Sequence, residues 1–422
     1  RRRSRSWRNT LRVVVIGGAG LFADGWDLQA TTFVVAVLTY KYPGTIPIHK
    51  ESLVGSATLV GAIVGEFGFG VLSDVFGRKW SALATAFLSI AGMVASGCMN
   101  NDGRFSITVC VAACFFVAGV GVGGEYPLSA AMSKEIEDHL YFNRLQLLQI
   151  NCMLLNLGCM LQSLFCFVLL SAHASLETTW RACVFVGALP SLLAFVFRLY
   201  WSELEPTHPR GRRLSSYYQS GVSMFSTSSV IVLYSSLAWL LFAFGGYGLN
   251  EFSHTISQYL WGESKEDIIV TLKRATVFDF SLACCRFAGN LICAYLVREG
   301  ASLKQIQWAG LWCMAMFVWL CCFCGQIEWL STVFFFLTSV MDGIVIITMY
   351  TLSTISFPKA VRGTAVGVIA GMGKIGATAG IALFPFMNKS AGMTWTIFIN
   401  GAVISLGACA SMLLPRMGML PD

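Results

Sequence analysis

Residues 119–130 read GVGVGGEYPLSA and stand at the end of the apolar run 107–120. The run and the stretch together are long enough for a membrane-spanning helix, since about 20 apolar residues cross about 30 Å of hydrocarbon. Such a helix places a carboxylate, Glu125, and a phenol, Tyr126, inside the membrane, between a group of glycines and Pro127. Ionisable groups at that depth are costly and usually face a partner or a cavity, so they indicate a substrate or proton path.

The composition indicates an integral multi-pass membrane protein. Of the 422 residues, 56% are hydrophobic and 12% are charged, against about 25% charged residues in soluble globular domains. Twelve apolar segments are predicted to be transmembrane helices. They cover residues 12–39, 52–74, 79–99, 105–132, 145–171, 178–200, 228–252, 275–297, 305–325, 329–356, 363–387 and 392–415.

The distribution of Lys and Arg predicts that both termini are cytoplasmic. With an even number of helices, nineteen of the 29 basic residues fall on the side of the termini, eight fall on the other side, and Arg286 and Lys374 lie within the membrane. This asymmetry follows the positive-inside rule. It explains the net charge of +7 by topology and contact with the lipid bilayer, so no nucleic-acid partner is expected. The sequence leaves the plasma membrane and an internal membrane open.

A polar segment at residues 201–227, rich in Pro, Arg and Ser, is the longest predicted linker. It separates an N-terminal six-helix bundle, residues 1–200, from a C-terminal six-helix bundle, residues 228–422. Two pseudo-equivalent bundles are typical of secondary transporters built from repeats.

Neither an enzyme nor a metal protein is expected. All fifteen Cys fall within the predicted spans, and the group at 321–324 has no metal-ligand spacing. Gly119, Gly121 and Gly124 fit G-x-G-x-x-G, but no strand precedes them, so a dinucleotide site is not indicated and no cofactor is expected. We find no nucleophile and base pair, and the predicted loops are too short for a catalytic domain.

Two carboxylates in the first predicted helix are candidates for proton coupling. Asp24 and Asp27, in GGAGLFADGWDLQATT at 17–32, are three residues apart and so share one helical face. Carboxylates at one cavity repel each other, which favours the binding of a proton by one of them. The alternative is that they lie near the membrane interface and bind backbone groups or water.

A charged turn follows the second predicted helix. Residues 70–79 read GVLSDVFGRK, and here Asp74 can hold Arg78 or a neighbouring helix end, while Gly70 and Gly77 permit close backbone approach. With Lys79 they form the pattern G-x3-D-x2-G-R-K, which is the loop signature of the major facilitator superfamily. We expect this motif to hold helices together during a conformational change and not to bind substrate.

With FADGWD at 22–27 and GVGVGGEYPLSA, the chain resembles the phosphate:proton symporter branch of that superfamily. Members typically carry F-x-D-x-Y-D and G-x-G-x-G-G-D-Y-P-L-S-A, and here Trp26 and Glu125 replace Tyr and Asp. Residues 357–380, FPKAVRGTAVGVIAGMGKIGATAG, closely match a further family motif, F-P-x-x-x-R-G-T-A-x-G-I-x-A-x-x-G-K-x-G-A. The resemblance implies the twelve-helix major facilitator fold.

The resemblance also implies a substrate site made by Tyr126, Trp239, Tyr247 and Lys374. Trp239 and Tyr247 lie on one stripe of the seventh predicted helix, although a Trp and a Tyr at this spacing also suit packing alone. Lys374 is a cation deep in a helix, and a buried ammonium needs an anionic substrate or one of the acids of the first and fourth helices.

Some positions depart from the family pattern. Ala243 stands where the family has an Asp, and Ile346 stands where it has a phosphate-contacting Asn. Leu155 falls at the place of a Gln, for which Asn156 or Gln162 substitutes only if the register slips. Asp342 supplies an acid where the family has Asn. We treat Asp342, Asn156, Ala243 and Ile346 as a possible additional pocket.

The predicted function is secondary active transport of a small anion, first of all inorganic phosphate, coupled to protons through Asp24, Asp27 or Glu125. Loss of polar partners at Ala243 and Ile346 costs about 1–3 kcal/mol each, which keeps two alternatives open. One is an organic phosphate or other organic anion whose carbon part fills this space. The other is a solute sensor that binds without transport. The oligomeric state stays open, with a monomer as one option.

Overall fold

A computed structural model describes residues 7–42, 48–100, 106–135, 144–200, 229–251, 268–325 and 327–415. These ranges hold twelve helices that are long and apolar enough to cross a membrane, which confirms the all-α prediction. The helices are α1 Trp7–Lys41, α2 Ile48–Phe76, α3 Arg78–Cys98, α4 Ile107–Glu135, α5 Arg144–Ser171, α6 Leu176–Leu199, α7 Ser229–Glu251, α8 Ile268–Arg298, α9 Leu303–Phe323, α10 Glu328–Ile355, α11 Arg362–Ala391 and α12 Met393–Met412.

Several helices are longer than their predicted spans, most clearly α8, which begins at Ile268 and not at 275. The local hydropathy falls at Lys273 and Arg274, so the predicted span begins after them. Backbone hydrogen bonding continues through charged residues, and the helix is therefore longer. The predicted linker at 201–227 lies outside the described residues.

The twelve helices pack as two sets. Within the N-terminal helices, α1–α6, the central contacts are α2 and α3 with α4, and α1 with α5 and α6. Within the C-terminal helices, α7–α12, α7 packs on α11 and α12, and α10 packs on α8 and α9. The two sets meet where α2 and α4 contact α11 and where α5 contacts α8.

The glycines of the quoted stretch bring α4 into backbone contact with two neighbours. A Cβ atom at Gly119 would lie 2.1 Å from the carbonyl oxygen of Thr58 on α2, and one at Gly121 would lie 2.5 Å from the carbonyl oxygen of Thr85 on α3. Real Cβ atoms do not approach so closely. Small residues on both faces therefore let α4 fit between α2 and α3, which positions Glu125 at their centre.

Turns of few residues join consecutive helices and define the two ends of the molecule. Gly77 alone separates α2 from α3, with φ 101° and ψ 160°, a conformation that glycine adopts readily. We call this the Gly77 end. The opposite end holds the turn between α5 and α6, where His173 has φ 58°, and we call it the His173 end. There Lys41 pairs with Glu177 and ties α1 to α6.

Candidate functional site

Glu125, the acid of the quoted stretch, lies in a buried ion pair. Its two carboxylate oxygens accept hydrogen bonds from Arg198 Nη1 and Nη2, at 2.6 and 2.7 Å. Thr85 Oγ1 donates a third bond at 2.6 Å. Glu125 is 3% exposed and Arg198 is 0% exposed. Of the three acids predicted to couple to protons, Glu125 is thus the one whose charge an arginine balances directly.

Sequence reasoning missed Arg198 because it was counted among the basic residues of the cytoplasmic side. It is in the last turn of α6, where hydropathy does not separate a surface base from a buried one. The sequence feature that could have identified Arg198 as buried is its position inside the apolar segment of α6, which has to pack against other helices of the same bundle, including the one that carries Glu125.

Asp24 and Asp27 lie in the middle of α1, with exposures of 2% and 1%. Ser89 Oγ donates to Asp27 Oδ2 at 2.9 Å. Among the described residues, Asp27 Oδ1 and Asp24 Oδ2 have no hydrogen-bond partner. Both side chains therefore lie inside the protein, while their position relative to the membrane interface stays a prediction. Partnerless buried carboxylate oxygens are costly unless they bind a proton or another ligand.

Lys374 reaches the interface between the two sets of helices from α11. Its Nζ donates to the Tyr247 hydroxyl at 2.9 Å and lies 4.9 Å from the centre of the Tyr247 ring. Lys374 also interacts electrostatically with Glu66 and Asp24. Glu66 is 0% exposed, and within the described part of the chain neither of its oxygens has a hydrogen-bond partner. The sequence analysis gave Glu66 no role, although a carboxylate in an apolar span is itself a signal.

Further aromatic side chains pack beside the helix segment that carries this lysine. Trp239 packs on Gly373, where a Cβ atom would lie 2.4 Å from Trp239 Cδ1. Tyr126 contacts Trp239 edge-on, with ring centres 6.1 Å apart, and contacts Tyr350 at 5.1 Å. The structure thus links the residues predicted to bind substrate into one chain of contacts from α4 through α7 to α11.

A cavity of about 120 Å³ lies between the two sets of helices, toward the His173 end. Tyr247 lines it and links it to Lys374. Of the four residues considered as an additional pocket, Asn156, Asp342 and Ile346 line the cavity. Ala243 does not, since it is 1% exposed and belongs to the packed core.

The loop motif fastens the two sets of helices at the Gly77 end. Asp74 accepts bonds from Arg78 Nη1 at 2.6 Å, from the backbone nitrogens of Gly363 and Thr364 at 3.1 and 2.6 Å, and from Thr364 Oγ1 at 2.8 Å. The amides at the start of a helix favour a carboxylate. Arg78 also donates to the Lys359 carbonyl oxygen at 3.4 Å. These bonds hold the α2–α3 turn on the N-terminus of α11.

Comparison with known proteins agrees with this geometry. A family model described as "Sugar (and other) transporter" matches residues 13–204. Glycerophosphoinositol permease 1 of Candida albicans is 26% identical over 405 residues, covering 93% of this chain and 76% of the permease. Inorganic phosphate transporter PT2 of Toxoplasma gondii is 27% identical over 403 residues, covering 92% of this chain and 69% of the transporter.

Among solved structures, the major facilitator superfamily proton:xylose symporter XylE matches with a TM-score of 0.76 at 15% identity, over 96% of this chain and 95% of the symporter. Two sets of six helices with buried charged groups between them define the major facilitator fold. The similarity to this symporter confirms the predicted major facilitator fold, and the curated proteins that the chain resembles include phosphate transporters.

Proposed function

We propose that this transporter moves a phosphate-bearing anion across the membrane together with protons, by alternating access. The observation that carries the proposal is the state of Lys374. Lys374 is 8% exposed, and its ammonium donates a hydrogen bond to the Tyr247 hydroxyl. The described residues place no carboxylate within ion-pair distance of it. A buried cation in this state attracts an anion, and lysine is a common phosphate ligand.

Hydrogen-bond donors near Lys374 suit the oxygens of a phosphate group. Tyr247 already holds the ammonium, Trp239 packs on Gly373 beside the lysine, and Tyr126 contacts Trp239 edge-on. An indole N–H and phenol hydroxyls can donate to phosphate without adding charge. We assign substrate binding to these three aromatic residues and Lys374.

Proton coupling is assigned to the buried acids that lack a permanent cationic partner. Among the described residues, Asp24 and Asp27 each carry one oxygen without a hydrogen-bond partner, and Glu66 joins them because both of its oxygens lack one. Glu125 is held by Arg198 and takes part only if that pair opens. Neutralisation of these acids would let the bundles 1–200 and 228–422 rock about the site, joined by 201–227 and with both termini in the cytoplasm.

Two substrate classes are compatible with the site. Inorganic phosphate needs only the groups around Lys374, and the similarity to a phosphate transporter supports it. An organic phosphate is favoured by the apolar positions Leu155 and Ile346, which line the cavity and offer nothing to a free phosphate ion. The similarity to a glycerophosphoinositol permease supports this second class.

Uptake into proteoliposomes tests the proposal. We expect an inward proton gradient to drive uptake of radiolabelled inorganic phosphate or glycerophosphoinositol, and a protonophore to abolish it. Lys374→Gln should abolish both binding and uptake. The matched control is Lys389→Gln, an exposed lysine on the same helix, which should behave like the unmodified chain. Unchanged anion affinity in Lys374→Gln would contradict the proposed site, and binding without uptake would support a sensor instead.

A further inference from the structure

The cavity has a polar lining that the proposed phosphate site does not use. Five helices contribute to it: α1, α5, α7, α8 and α10. The side chains are two carboxylates, three amides and one guanidinium, and they are Gln29, Asn156, Asn250, Asp279, Arg286 and Asp342. We call these six residues the polar lining.

The charges of the polar lining largely balance one another. Arg286 Nη1 donates to Asn250 Oδ1 at 3.2 Å, and Arg286 interacts electrostatically with Asp342. Gln29 Nε2 donates to Asp279 Oδ2 at 3.1 Å, which joins α1 to α8. With two carboxylates against one guanidinium, the polar lining does not provide a second anion site. The six residues instead offer both hydrogen-bond donors and hydrogen-bond acceptors to the cavity.

One member of the polar lining lacks a partner. Asn156 is 2% exposed, and its Nδ2 has no hydrogen-bond partner among the residues described. Leaving a buried amide donor unmet is unfavourable. Asn156 is one of the residues that line the cavity, so an acceptor atom that a bound molecule brings to Nδ2 would remove that cost.

Apolar side chains lie among these polar groups. Leu28, Leu59, Leu155 and Ile346 line the same cavity. These side chains can pack against the carbon skeleton of a bound molecule, and because of them the cavity is only partly polar. A few convergent polar groups on an apolar surface are typical of sites for organic ligands.

We propose that the polar lining is a subsite for a hydroxyl-bearing substituent on the phosphate, so that the substrate class is polyol phosphate esters and diesters. The inference rests on the proposed function, because Lys374 and Tyr247 hold the phosphate group. Substrate hydroxyls donate to Asp279 and Asp342, and they accept from Asn156 Nδ2. The hydroxyl group is both donor and acceptor, which matches this mixed lining.

Such a subsite discriminates against analogues without hydroxyl groups. A site built to bond a hydroxyl rejects the analogue that lacks it, because the polar groups of the site are then left unpaired. Inorganic phosphate and methyl phosphate would occupy the groups around Lys374 and leave the polar lining unmet. Glycerol 3-phosphate and glycerophosphoinositol would fill both parts.

Binding of four probes to the purified full chain in lipid nanodiscs tests the inference: inorganic phosphate, methyl phosphate, glycerol 3-phosphate and glycerophosphoinositol. We expect the unmodified chain to bind glycerophosphoinositol at least about tenfold more tightly than methyl phosphate, the worth of one good hydrogen bond. Asn156→Leu and Arg286→Gln should each reduce this ratio about tenfold while leaving methyl phosphate affinity within about twofold. Arg298→Gln, an exposed arginine on the same helix as Arg286, is the matched control.

The affinity ratio is measured within each variant, so a reduced folded fraction does not change it. Equal affinity of the unmodified chain for methyl phosphate and the polyol esters would overturn the inference and leave the proposed function standing. An equal loss for all probes in both variants would also overturn it, because those residues would then serve the phosphate group or the fold. If none of the four probes binds the unmodified chain, the proposed function itself fails.

Discussion

At the scale of single residues, Glu125 and Arg198 form a buried ion pair inside the N-terminal helices. The pair joins α4 to α6 and is nearly inaccessible to water. A buried pair of this kind contributes little over an apolar replacement, but removal of one partner leaves a buried charge without compensation. The two single variants and the double variant are therefore expected to differ.

Arg198→Gln should lower the free energy of unfolding by about 3–5 kcal/mol, because Glu125 is left charged and unpaired. The double variant with Glu125→Gln should recover part of this loss. Unfolding in detergent, followed by tryptophan fluorescence, measures both. Arg298→Gln serves as an exposed control, and an Arg198→Gln chain as stable as the unmodified one would contradict the structural role.

A second residue-scale prediction concerns Glu66. The groups that interact with it are Lys374 from α11 and Tyr126 from α4, and Asp24 on α1 also acts on the lysine. An ionised Glu66 competes with an anion for the ammonium. Glu66→Gln removes that competition, so we expect tighter anion binding at alkaline pH and a weaker dependence of binding on pH. An unchanged pH profile in this variant would argue against a coupling role for Glu66.

At the scale of elements, the crossing of α2 and α4 depends on glycines of both helices. A Cβ atom at Gly65 would lie 2.2 Å from the carbonyl oxygen of Val120, whereas one at Gly68 on the same helix would meet nothing within 4 Å. Helix propensity alone makes both substitutions by Ala favourable, so only the packing of α2 on α4 distinguishes them.

Gly65→Ala should therefore destabilise the protein by about 1–3 kcal/mol, because the helices must separate. Gly68→Ala should be neutral or stabilising by up to about 1 kcal/mol. Unfolding of the two variants under identical detergent conditions makes the comparison. Equal stability of the two would mean that the close crossing is not maintained.

At the scale of the whole molecule, the two helix sets are bonded to each other at the Gly77 end and have a cavity between them toward the His173 end. Asp74, on α2, accepts hydrogen bonds from Gly363 and Thr364 at the start of α11. The cavity lies between the same two sets of helices, nearer the His173 end. The proposed alternating access requires this end to open, and the bonds of Asp74 favour the closed arrangement at the Gly77 end.

Asp74→Ala should shift the population toward molecules that are open at the Gly77 end. Distances between spin labels on the Gly77-end turns of α3 and α10 would show a larger long-distance fraction. Asp74→Asn keeps one acceptor oxygen and should be intermediate. Glu299→Ala changes an exposed acid in another turn at the same end and is the control. An unchanged distance distribution in Asp74→Ala would refute this role.

The sequence by itself determined the twelve helices, the membrane location and the fold class, because hydropathy and short motifs are properties of contiguous residues. It also singled out Glu125 and Lys374 as charges that need a partner. Only the tertiary structure decided the partners, since Arg198 is 73 residues from Glu125 and Tyr247 is 127 residues from Lys374. Which side chains meet across such separations depends on how the helices pack, and helical period alone does not specify it.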